Sequence, residues 1–179
     1  MWAYSEDELR VRLSALPAPA RARFAEACAR HLVPHFSALE ASRGGSHDGA
    51  TILVRALGAC REAIGGRDVD VGCWVPAVEP LIPDEDGGRV WQSGPAQHAA
   101  IAVVYAVEAC RTGGVQAAVL AARHVYEAAD CLGRREASDR HVDLDDETLP
   151  DEYRSLVAWI DDTLREIETG ERPVATAGR

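Results

Sequence analysis

The segment that most constrains the fold is AAIAVVYAVEAC, Ala99 to Cys110, which is apolar on nearly every side of a helical projection. A helix of that kind must be covered all round by other elements. Ser93 is expected to cap this helix, with Pro95 in its first turn and an end near Arg111. Gly113-Gly114 then gives a tight turn, and a second helical pattern runs from Gly114 to Leu132, with Gly133 expected to end it. Two long helices joined by so short a turn pack antiparallel. The starting point is therefore a helical hairpin whose first arm is the centre of a bundle.

The rest of the chain supplies the covering helices. Ser5 and Glu8 form a capping box ahead of Leu9, Leu13 and Leu16. A second helix begins near Ala18 and carries the stripe Phe24, Cys28, Leu32, Phe36, with a kink or break expected at Pro34. After a loop from Arg43 to Asp48, Asp48 or Ser46 caps a third helix with the face Ile52, Leu53, Ala56, Leu57, Cys60 and Ile64, stopped by Gly65-Gly66. Asp68 to Leu81 reads as a short or broken helix, limited by Pro76 and Pro80. Ile82 to Gly94 reads as a polar loop, and Arg134 to Leu149 as a charged connection. Thr148 and Pro150 open a last helix with Tyr153, Leu156, Val157, Ile160, Leu164 and Ile167 on its core face.

The expectation is an all-α, single-domain compact bundle of about seven helices over residues 1–170, with a buried central helix and a flexible tail over 171–179. The 31 alanines and 19 arginines support it, because both residues are strong helix formers. A chain of 179 residues is one domain's worth and needs no disulfide or metal to hold a core.

Read together, three stretches resemble the YjaG-like family of uncharacterised bacterial proteins, domain of unknown function 416. They are Ala15 to Phe36 with its exit Leu32, Pro34, His35, Phe36; the loop IPDEDGG, Ile82 to Gly88; and the Ala-rich helix ending in VEAC, Val107 to Cys110. The resemblance implies an all-α fold and transfers no catalytic residue.

Charge narrows the function classes. The net charge of −10 opposes nucleic acid or an anionic membrane as partner and suits a basic protein. No apolar stretch reaches the length of a membrane span, and no basic region followed by an apolar run marks a secretory signal, so a cytoplasmic location is expected. The chain has no lysine, which removes P-loop and Schiff-base chemistry. Cys28, Cys60 and Cys110 lie in apolar helical patterns and read as small buried hydrophobes, while Cys73 and Cys131 complete an odd set with no CxxC.

The first functional reading is a non-catalytic binding protein, of immunity or antitoxin type, meeting a basic partner through Asp84, Glu85, Asp86, Trp91, Asp143, Asp145, Asp146 and Glu147. The second is a metal-dependent or small-molecule-acting enzyme using His98, Glu108, His124, Glu127 or Asp130 in the bundle interior. The third is a structural homo-oligomer, such as a homodimer. No catalytic residue, cofactor or metal is assigned. His124, Glu127 and Asp130, at i, i+3, i+6, are the metal candidates, while His31 and His35 have ligand spacing but no glutamate between them. Glu108, alone in the apolar helix, needs a partner such as Arg111 or Arg123.

Overall fold

Among the described residues, the computed structural model has seven α-helices: α1 (Glu6–Ala15), α2 (Ala18–Ser42), α3 (Asp48–Ile64), the single turn α4 (Val75–Val78), α5 (Val90–Thr112), α6 (Val115–Arg140) and α7 (Asp151–Thr169). Tight 3-10 turns flank α4 at Val71–Trp74 and Glu79–Leu81. The structure describes residues 5–44, 48–83, 90–140 and 151–170, with the backbone alone at 90–93, 134–140 and 151–153. Among the described residues there is no strand. None of their helices is long and apolar enough to cross a membrane.

The α5–α6 hairpin is the centre. Gly113 turns it with φ +65°, and a Cβ there would lie 2.5 Å from the Cβ of Ala18. The position therefore needs glycine both for its left-handed backbone and for the close approach of α2. α5 packs on α2, α3 and α6, and Ala96, Ala99, Ala100, Ala102, Val103, Ala106, Val107 and Ala109 are buried. Alanine on so many faces lets neighbouring helix axes come close, because interaxial distance follows side-chain size at the contact. Each covering helix adds buried apolar residues in turn, among them Leu9 and Leu13, then Phe24, Leu32 and Phe36, then Leu53 and Leu57, and finally Ile160 and Leu164.

Local rules explain most boundaries. Ser5 Oγ accepts from the Glu8 amide and starts α1. Gly66, at φ +85°, ends α3, with Arg67 N–H donating to the Glu62 carbonyl and Gly66 N–H to that of Ala63. The N-terminus of α3 takes its cap from another helix: the Glu40 carboxylate of α2 accepts from the amides of Gly49 (2.9 Å) and Ala50 (3.0 Å).

Three expected interruptions do not occur. α2 runs unbroken through Pro34, α5 begins at Val90 rather than at Ser93, and α6 continues past Gly133 to Arg140. Keeping the residue inside a helix carries a local penalty of ~3 kcal/mol for a proline and ~1 kcal/mol for a glycine. In α2 the adjoining Leu32, Val33 and Phe36 are all buried, and holding them in the core offsets a single lost backbone bond. Gly133 is itself buried against the bundle. The loop expected over Ile82–Gly94 is thus shortened from its far side by the early start of α5.

Candidate metal centre

His124 and Glu127 share one face of α6, three residues apart. The hairpin turn lays that face against α5, where His98 projects toward it. The Nδ1 atoms of His98 and His124 are 3.0 Å apart. Glu127 Oε2 lies 3.1 Å from His124 Nδ1 and 3.4 Å from His98 Nδ1. One nitrogen from each ring and one carboxylate oxygen thus close a triangle. Among the described residues, this is the one set of three with ligand spacing.

Cis donors around an ion that binds nitrogen and oxygen at ~2.0–2.2 Å are separated by about 3.0–3.4 Å, so the triangle has the dimensions of one coordination face. The side chains of His98 and His124 are mostly buried, and Glu127 is about 30% exposed. The centre is held by the bundle and opens to solvent past Glu127.

Neighbouring groups orient all three donors. Arg123 Nε donates to Glu127 Oε1 at 2.8 Å, which leaves Oε2 for the histidines. The far nitrogen of His98, Nε2, is 3.8 Å from Cys131 Sγ. Gly94 makes room for that sulfur, since a Cβ there would come within 3.0 Å of it. The Tyr105 ring stacks on His124 with centroids 5.5 Å apart. Burial pushes the His124 pKa down to about 4, against the pull of Glu127 and with added repulsion from His98 and Arg123. A neutral imidazole keeps an in-plane lone pair, which is what a metal ligand requires.

The residues singled out from the sequence divide clearly. His98, His124 and Glu127 come together, while Asp130 stands outside the cluster. Glu108 pairs with Arg111 on its own helix at 2.9 Å and leaves the interior alone. His31 stacks on Trp159 with centroids 4.0 Å apart, and among the described residues it belongs to no set of three candidate ligands. Asp84, Glu85, Asp86, Asp143, Asp145, Asp146 and Glu147, and the side chain of Trp91, lie outside the described residues. Arg123 and Cys131 were not assigned to a metal site from sequence. The i, i+4 spacing of Arg123 and Glu127 is the signal that could have found the first.

No protein-family model matches the sequence, and no curated protein matches it. The solved structures do contain a match. The fold is similar to the crystal structure of a DUF416 family protein from Shewanella baltica OS155, with a TM-score of 0.71. The superposition covers 93% of this chain and 87% of that one. This chain has the DUF416 fold. The identity is 18%, so the likeness speaks of architecture. It agrees with the resemblance read from Ala15 to Phe36, Ile82 to Gly88 and Val107 to Cys110. The centre on His98, His124 and Glu127 therefore stands on its own geometry within the DUF416 fold.

Proposed function

We propose that the chain holds one divalent transition-metal ion on His98 Nδ1, His124 Nδ1 and Glu127 Oε2, and uses it to activate water or polarise a small polar substrate. The observation that carries this reading is the triangle of 3.0, 3.1 and 3.4 Å between three donor atoms from two packed helices. Two histidines and one glutamate are a ligand set of catalytic zinc, in which the remaining position is left to water or substrate. An ion there lowers the pKa of its water and acts as a Lewis acid. Exposure on the Glu127 side supports an approach from solvent.

A triangle of donors also has to be satisfied electrostatically. Two imidazole nitrogens and a carboxylate oxygen at these distances repel one another unless a proton or a cation lies among them. One proton serves one edge of the triangle, whereas a metal ion serves all three corners. The test is metal content after equilibrium dialysis against zinc, measured by plasma mass spectrometry. The wild-type chain is expected to retain about one equivalent, and His124→Ala with an unchanged circular dichroism spectrum under a tenth of that. A folded wild type that retains no zinc, cobalt or manganese overturns the reading.

A further inference from the structure

Cys131 is on α6, two turns beyond His124, and its Sγ is 3.8 Å from His98 Nε2, within reach of a sulfur hydrogen bond. The sulfur approaches that ring because α5 has no side chain one turn before His98. A Cβ on Gly94 would lie 3.0 Å from Cys131 Sγ and 3.5 Å from its Cβ. We propose that Cys131 is the positioning residue of His98: its sulfur accepts from Nε2–H and so leaves the Nδ1 lone pair facing Glu127 and His124. This role deepens the metal reading above and rests on it for the effect on affinity, while the tautomer itself is a property of the metal-free chain.

A neutral imidazole carries one N–H and one bare nitrogen, and the partners of the two nitrogens select between the tautomers. The Nδ1 atoms of His98 and His124 are 3.0 Å apart, so one of them holds a hydrogen and the other a lone pair. Both face the same carboxylate oxygen. Glu127 Oε2 is 3.1 Å from His124 Nδ1 and 3.4 Å from His98 Nδ1. A hydrogen bond to an ionised carboxylate is about twice as strong as a neutral one, so the proton goes to the nearer nitrogen, on His124. His98 is then the Nε2–H tautomer, and Cys131 Sγ is the acceptor at that nitrogen. In the reverse arrangement a thiol S–H, a weak donor, would serve His98 Nε2, and His98 would reach Oε2 across the longer distance. Both comparisons favour the same tautomer.

The two histidines therefore enter metal binding differently. His98 offers its Nδ1 lone pair as the chain stands. His124 must exchange its Nδ1 proton for one on Nε2 through solvent, a change of tautomer that releases no net proton. Without the sulfur, His98 is free to take the other tautomer, and an ion would then have to convert both rings. The partner on the far nitrogen of a metal-bound histidine is worth about 10–100-fold in affinity.

Long-range proton–nitrogen correlation spectra of the nitrogen-15-labelled full-length chain read the tautomers directly, because a protonated ring nitrogen resonates far upfield of a bare one. The chain has six histidines, and the signals of His98 and His124 are identified by their loss in His98→Gln and His124→Gln. In the metal-free wild type near neutral pH, His98 is expected as Nε2–H and His124 as Nδ1–H. In Cys131→Ala, His98 is expected to move to Nδ1–H or to an average of both forms. The zinc Kd of that variant is expected to rise about tenfold or more with one equivalent still bound. A wild-type His98 with its proton on Nδ1 overturns the proposal, even where the variant does not fold. An unchanged His98 tautomer in a folded Cys131→Ala overturns it too. A wild type that shows the expected tautomers yet retains no metal overturns the metal reading and leaves the hold of Cys131 on His98 in place.

Discussion

His98 and His124 face each other with their Nδ1 atoms 3.0 Å apart, although 26 residues separate them in the chain. Glu127 completes the triangle through Oε2, and its other oxygen is held by Arg123 at 2.8 Å. That arginine fixes which carboxylate oxygen faces the histidines. Partners that orient metal ligands are worth about 10–100-fold in affinity. Arg123→Ala is expected to raise the zinc Kd by about that factor with the stoichiometry unchanged, read by competition against a chromogenic chelator. An unaltered Kd removes Arg123 from the centre.

Protonation of His124 couples the site to stability in the metal-free chain. Its pKa is about 4 when folded, against ~6.5 for an unfolded histidine. Between these values the unfolded state binds the extra proton, so stability falls as pH drops from about 6.5 to about 4 and changes no further below that. Burial lowers His31 as well, which adds a contribution of the same sign. Buried Glu26, whose pKa is raised chiefly by burial, works in the opposite sense above the ordinary carboxylate range. Urea midpoints from pH 7 to pH 4.5 are expected to decline in the wild type and to decline less steeply in His124→Gln. Identical slopes for the two proteins contradict a buried, neutral His124.

The junction of α2 and α3 makes a sharper stability prediction. A Cβ on Gly49 would lie 2.5 Å from Glu40 Oε1 and 2.8 Å from Phe36 Cε1. Phe36 is buried and Glu40 is committed to capping α3, so neither side chain moves freely. Gly49→Ala is expected to cost about 1–3 kcal/mol through overpacking, and Glu40→Ala about 1 kcal/mol through the lost cap. Chemical denaturation of each variant checks both values. A neutral Gly49→Ala means that α3 does not approach α2 this closely.

Arg12 ties the first helix to the last. Its guanidinium reaches Glu168 at 2.8 and 2.9 Å and also pairs with Asp161, and both acids are on α7. The side chains of Arg12 and Asp161 are about a quarter exposed or less. Charge-assisted, two-toothed contacts of this kind exceed single surface pairs. Arg12→Ala is expected to cost about 1–2 kcal/mol and to speed amide exchange in α7 before the hairpin helices respond. Exchange that rises equally in α5 contradicts the local role of Arg12.

What was legible in the sequence follows from what is local. The all-round apolar pattern of Ala99 to Cys110 and the glycines at 113 and 114 already placed the central hairpin, because burial and turn chemistry act over a few residues. Pro34, Pro95 and Gly133 misled, since their local penalties are smaller than what the packed helix recovers. At the site, the spacing of His124 and Glu127 was visible, and His98 was named beside them as a candidate for the bundle interior. Which residues of α5 meet them depends on how two helices settle against each other. Asp130 illustrates the helical limit: six residues on from His124 it has turned about 120° away around the axis.

Crystals grown with zinc and measured on both sides of the zinc absorption edge locate the ion on His98, His124 and Glu127 or exclude it. One strong anomalous peak is expected, bonded to His98 Nδ1, His124 Nδ1 and Glu127 Oε2 at ~2.0–2.2 Å, with a further position open to solvent. A peak ligated by other residues, or no peak within reach of these three atoms, contradicts this metal centre.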